Sequence, residues 1–231
     1  MNKLEVLKKE NDINLNNDNY LLEVDNEEKF VSFNVKGNNK LSIVGENCII
    51  HLYFIFDNNN ENIMTVNMIG KNVTLFVKTS LFENSKFTFN YGVLASTDSI
   101  NSFEIYHIGD NSISEINNGG INLSNNKLHF NIDGKVYQSF TGVECRQNSK
   151  IINYGNGDSK IIPNLIIDTN EILASHSAYI GTIDKETKFY LESRGLTEEE
   201  INNLFVKSII LGKMELDEEA SLFNEKLKEW W

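Results

Sequence analysis

The sequence predicts an all-β domain with a small helical appendage, and three observations carry that reading. Short runs rich in β-branched and aromatic residues, separated by Asn, Asp and Gly, fill the chain from about residue 21 to about residue 173. Within that stretch a Gly-x-Asn pattern recurs. After residue 174 the apolar spacing changes from alternation to a helical period.

The strand-like runs include Phe30–Val35, Asn72–Val77 and Lys86–Tyr91, several of which alternate apolar with polar residues. The recurring pattern is an aliphatic residue, Gly, a charged residue and Asn: Val44-Gly45-Glu46-Asn47, Ile69-Gly70-Lys71-Asn72 and Ile108-Gly109-Asp110-Asn111. Its spacings of 25 and 39 residues are too unequal for a propeller. They suit a β-solenoid whose coils carry insertions, and ordinary turns of an antiparallel sandwich remain the alternative. Asparagine, with 35 copies, fits either, because it tolerates left-handed corners.

The C-terminal part reads as three short helices. Lys185 to Arg194 forms the first, with Asp184 as N-cap and Gly195 as stop. Thr197-Glu198-Glu199-Glu200 is a capping-box signature opening a second helix, whose apolar face is Ile201, Leu204, Phe205 and Ile209 and whose end is Gly212. A third follows from about Asp217, with Leu216, Ala220, Phe223, Leu227 and Trp230 in one stripe. This divides the chain into a β domain at 1–175 and a helical domain at 176–231. The helical stripes serve either to cap the solenoid end or to bind a partner.

Charge and composition exclude several classes. The net charge of −12, from 21 basic and 33 acidic residues, argues against a nucleic-acid partner. Only Arg146 and Arg194 could offer bidentate phosphate contacts. No apolar run approaches the ~20 residues of a membrane helix. The start, Met1 to Val6, has no signal-peptide character. Two distant cysteines without CxxC spacing point to a reducing, cytoplasmic setting. There is no GxSxG, P-loop, HExxH or GxGxxG, so the chain reads as no enzyme and not itself an ATPase.

The junction between the two parts carries the most specific signal. Ser175-His176-Ser177-Ala178-Tyr179-Ile180-Gly181 is followed by Asp184, then Phe189-Tyr190-Leu191-Glu192-Ser193-Arg194-Gly195 and an acidic capping segment. Pro163-Asn164-Leu165-Ile166-Ile167 precedes it, 13 residues before the histidine. These stretches resemble the C-terminal signature of the SufB/SufD family, scaffold subunits of iron–sulfur cluster assembly. The resemblance implies a right-handed parallel β-helix with a short C-terminal helical domain. It also implies pairing through the β-helix, as a homodimer or with another SufB/SufD-like subunit, and docking of an ABC-type ATPase, SufC, by the helices. Any cluster would be held transiently at a subunit interface, not stably by one chain.

Departures from the family pattern limit what is carried over. The chain is about half a typical member's length, without the N-terminal helical region, and the stretch from Phe140 to Pro163 is short. Where SufB has its cluster-building cysteine, six residues before the proline, this chain has Gly157; after the histidine it has Ser177 where SufB has a glutamate. The motif is closer to SufD.

Two residues are candidate metal or cluster ligands. His176 offers an imidazole near the implied subunit contact. Cys145 sits beside Arg146, which could activate its thiol, and Glu144 could add a hard ligand. Their competing reading is structural, as is that of Cys48, whose alternation with Ile50 and Leu52 places it in the core. His51, His107 and His129 carry no pairing motif. For partner binding the candidates are Phe189, Tyr190, Arg194, Ile201, Phe205, Ile209, Phe223 and Trp230. The expected function is a non-catalytic scaffold or accessory subunit; a degenerate docking protein without cluster-building activity, or a secreted β-helix protein acting on carbohydrate, are the alternatives.

Overall fold

A computed structural model describes residues 2–3, 13–58, 61–123, 125–137 and 140–231. The start read above, Met1 to Val6, lies outside the described residues apart from Asn2 and Lys3. Among the described residues fifteen strands alternate between two sheets, all neighbouring pairs parallel. The odd strands form an eight-stranded sheet, β1 (Asn2–Lys3), β3 (Asn19–Asp25), β5 (Asn38–Glu46), β7 (Asn62–Lys71), β9 (Ser85–Ala95), β11 (Ile113–Asn122), β13 (Val143–Asn153) and β15 (Ile172–Gly181). The even strands form a seven-stranded sheet, β2 (Ile13–Asn16), β4 (Glu28–Lys36), β6 (Ile49–Phe56), β8 (Thr74–Leu81), β10 (Ser99–His107), β12 (Lys127–Val136) and β14 (Asp158–Ile167). Each coil adds one strand to each sheet, so the fold is a parallel β-helix and the sandwich alternative is excluded.

Alternation drives the packing. In β4 the buried side chains are Lys29, Val31, Phe33 and Val35, and in β6 Ile50, Leu52, Phe54 and Phe56. Stacked coils bring equivalent positions together about 4.8 Å apart, so Phe33 stacks on Phe54; across the core Phe54 meets Phe87 and Phe89 of the odd sheet, and Phe89 meets Phe103. Cys48 belongs to this core, as expected.

The Gly-x-Asn pattern proves to be two corners rather than one. Asn47 and Asn72 both turn the chain from the odd sheet to the even one, one coil apart, with Gly45 opposite Gly70 in register. Asn111 turns it the other way, from β10 to β11, which is why its spacing is unequal. All three adopt positive φ, between 48° and 55°. The side-chain amide of Asn72 donates to Asn47, and that of Asn111 to Asn84, another left-handed corner.

The helices are α1 (Lys185–Ser193), α2 (Glu198–Ile210) and α3 (Ala220–Trp230). Asp184 caps α1 by accepting from the Thr187 amide, and Gly195 follows at φ 92°. The Thr197–Glu200 capping box is complete in both directions. The strand region runs on to Gly181, past the boundary expected at residue 175.

One expectation needs correcting. The helical stripes do not cap the end of the β-helix. They lie along the outer face of the odd sheet, where Val206, Ile210, Phe223, Leu227 and Trp230 form a second core with Val44, Ile69, Leu94 and Ile121. Gly92 and Gly119, paired in register, give α2 its seat: a Cβ on Gly119 would lie 2.0 Å from the Ile209 carbonyl oxygen. The Trp230 indole donates to Glu46, and buried Glu219 accepts from Asn67 and pairs with Lys40.

Candidate functional site at the open end of the β-helix

The last coil leaves two ten-residue strands at the sheet edges, β14 and β15. No further strand covers them among the described residues. Their side chains are correspondingly open: Ile162, Ile166, Leu173, Tyr179 and Ile180 are all exposed, Leu173 at 63%. Two free edges beside exposed apolar residues invite strand addition by another chain.

Register fixes where the candidate ligands point. Cys145 pairs with Ala174, and Gln147 with His176, so Cys145, Gln147 and His176 share the face that is interior in earlier coils. His176 is exposed because it lies in the terminal coil. Cys145 is sealed at 1% exposure. Burial pushes its thiol up, against the hydrogen bonds of Ser114 and Gln147. The activation expected from Arg146 is absent, since alternation sends Arg146 to the opposite face, where it pairs with Glu144. Neither of these two neighbours joins Cys145 in a ligand set. Among the described residues no group of three His, Cys, Asp or Glu side chains could hold a metal ion.

Burial also sorts the expected partner surface. Ile201, Phe223 and Trp230 are interior, so they are corrected to core residues. Phe205 and Ile209 are half-buried. Phe189, Tyr190 and Arg194 remain on the surface, Phe189 at 72%, with the Arg194 guanidinium 5.1 Å from the Tyr190 ring centroid. Leu204, in the stripe but not singled out from sequence for binding, is exposed as well.

The remaining histidines are structural in their contacts. His107 is buried between the hydroxyls of Ser112 and Ser114, and burial lowers its pKa to about 4. His51 stacks between Phe30 and Phe76 and meets Glu28 at 3.0 Å; His129 lies 3.5 Å from Asp158.

A polar ladder missed by sequence reasoning crosses the outer face of the odd sheet. The carboxamides of Asn148, Asn117 and Asn90 donate in turn to Asn117, Asn90 and Asn67 at 2.9–3.0 Å, and Asn67 donates to Glu219. Ser177 on β15 donates into its other end at 3.0 Å. Only the coil register aligns these residues, whose sequence separations range from 23 to 31.

Residues 156–209, which span β14, β15, α1 and most of α2, match the family described as SUF system FeS cluster assembly, SufBD core domain. That segment, about a quarter of the chain, is similar to the SufB/SufD family. It is 29% identical over 106 residues to the iron–sulfur cluster assembly protein SufD of Bacillus subtilis, covering 45% of this chain and 24% of that protein. A SufBD family protein of Methanocaldococcus jannaschii is 29% identical over 104 residues, 44% of this chain and 32% of its own length. One of Mycobacterium leprae is 42% identical over 79 residues, 32% of this chain and 20% of its own length. The alignments thus cover at most a third of these SufB/SufD relatives. No described helix is long and apolar enough to cross a membrane.

Proposed function

We propose that this chain belongs to the SufB/SufD family and is a non-catalytic scaffold or accessory subunit of cytoplasmic iron–sulfur cluster assembly. It joins a second subunit of the family through β14 and β15 and binds an ABC-type ATPase through its helical region. The observation that carries the reading is where the family match falls: on the two open edge strands and the helices that follow them. A cluster would be cargo held between subunits, with His176 as this chain's accessible ligand. Phe189, Tyr190 and Arg194 form the surface offered to the ATPase.

The burial of Cys145 and the presence of Gly157 favour one second reading, docking without cluster building. Co-purification with an ABC-type ATPase, followed by anaerobic iron and sulfide reconstitution, separates the two. Phe189→Ala/Tyr190→Ala should abolish ATPase capture with unfolding behaviour unchanged. His176→Ala should lower iron retention in the assembled complex if a cluster forms. ATPase capture without iron leaves the docking reading. Absence of any ATPase capture overturns both.

A further inference from the structure

We propose that the cleft between the carboxyl end of α2 and the outer face of the odd sheet, bordered on one side by β15, is a binding site for a small organic oxyanion. The cleft has a volume of about 290 Å³. That is near the low end of the ~300–1,000 Å³ range of small-molecule sites, so its occupant is a compact molecule.

Its floor is the asparagine ladder. A carboxamide carries two N–H donors, and the ladder uses one from each of Asn90 and Asn148. The second N–H of each has no partner among the described residues. Asn117 lies between them on the floor, but it also donates to Glu115. Polar groups held in place by a hydrogen-bonded row give a rigid, pre-formed surface.

Charge decides the ligand class. Acidic residues outnumber basic ones in the chain by 33 to 21, yet the cleft is lined by Lys150 and Lys213 and by no carboxylate. Neither lysine has an ion-pair partner among the described residues. Lys150 lies 5.3 Å from the centroid of the Tyr179 ring, which supplies an aromatic wall. The end of α2 turned to the cleft is its carboxyl end, which favours cations. The attraction for an anion therefore comes from the two lysines, with amide N–H groups as neutral donors. Phosphoryl and carboxylate groups both fit that chemistry.

The test is a titration of the whole chain, followed by side-chain amide NMR of Asn90 and Asn148, with inorganic phosphate and citrate as separate probes. Sodium chloride at equal ionic strength is the control. Saturable shifts with either probe, absent with chloride, support the site, and the probe that binds tells phosphoryl from carboxylate. The variant Lys150→Met/Lys213→Met keeps both stems and leaves the ladder intact; losing two charge-assisted contacts should weaken binding about tenfold or more. Thermal unfolding of the unliganded variant is measured alongside, and a normal transition excludes misfolding. Should neither probe saturate, or should the double variant bind as tightly as the parent, the proposal is overturned.

Discussion

Replacing Gly119 by alanine asks whether α2 owes its position to the bare backbone beneath it. Gly119 has no positive φ, so in open space alanine would stabilise the fold by about 0.4–1 kcal/mol through the unfolded chain. The space is not open. The new Cβ would stand 2.0 Å from the Ile209 carbonyl oxygen, and one on Gly92 2.4 Å from that of Ile210. Both obstacles are helix backbone, which no rotamer change moves aside. Restoring ordinary contact requires α2 to retreat by roughly 1–1.5 Å, and a gap of that order forfeits half or more of the local dispersion contact. Overpacking of this kind costs ~1–3 kcal/mol, so a net loss of about 1–2 kcal/mol is expected after the chain-entropy gain. Val206, Ile210 and the seam shared with Trp230 bear that loss. Urea unfolding followed by tryptophan fluorescence reads it directly. The double variant with Gly92→Ala should cost less than the two singles summed, because one retreat relieves both clashes. A Gly119→Ala protein as stable as the parent, or more so, would refute the seat.

Three further outcomes follow from the burial pattern. His107 is held near pKa 4 against 6.5 for a free histidine, so between those values the unfolded chain binds the extra proton; stability should fall by about 3 kcal/mol as pH drops from 6.5 to 4, and His107→Gln should flatten that slope in pH-resolved urea melts. Cys48, pushed by burial to about 12, and Cys145, also pushed up by burial, should resist a thiol reagent at pH 8 until denaturant is added; rapid labelling of the native protein would contradict the interior placement. Asn117→Ala breaks the ladder in its middle and should cost about 1–3 kcal/mol by leaving the carboxamide oxygen of buried Asn90 and the donor of half-buried Asn148 without their ladder partner; a thermal midpoint unchanged from the parent would show that the row carries no stability.

Local chemistry determined much of this protein by itself. Asp184, the Thr197–Glu200 box and Gly195 set helix ends because a cap is satisfied within a few residues. Asn47, Asn72 and Asn111 marked corners because the left-handed region selects for that side chain. Alternation placed Cys48 inside. The tertiary structure decided what depends on registry between distant coils. The pattern of Asn111 could not be assigned to the opposite corner until the strands were laid into two sheets. The apolar stripes of α2 and α3 looked the same whether they faced a partner or the β-helix; only the tertiary packing leaves Ile201, Phe223 and Trp230 interior. Arg146 is adjacent to Cys145 in the chain but on the other side of the sheet, since neighbouring strand residues point to opposite faces. Asn67, Asn90, Asn117 and Asn148 became one row for the complementary reason: parallel coils stack residues that are remote in sequence about 4.8 Å apart, and unequal corner lengths hide that registry from any fixed repeat.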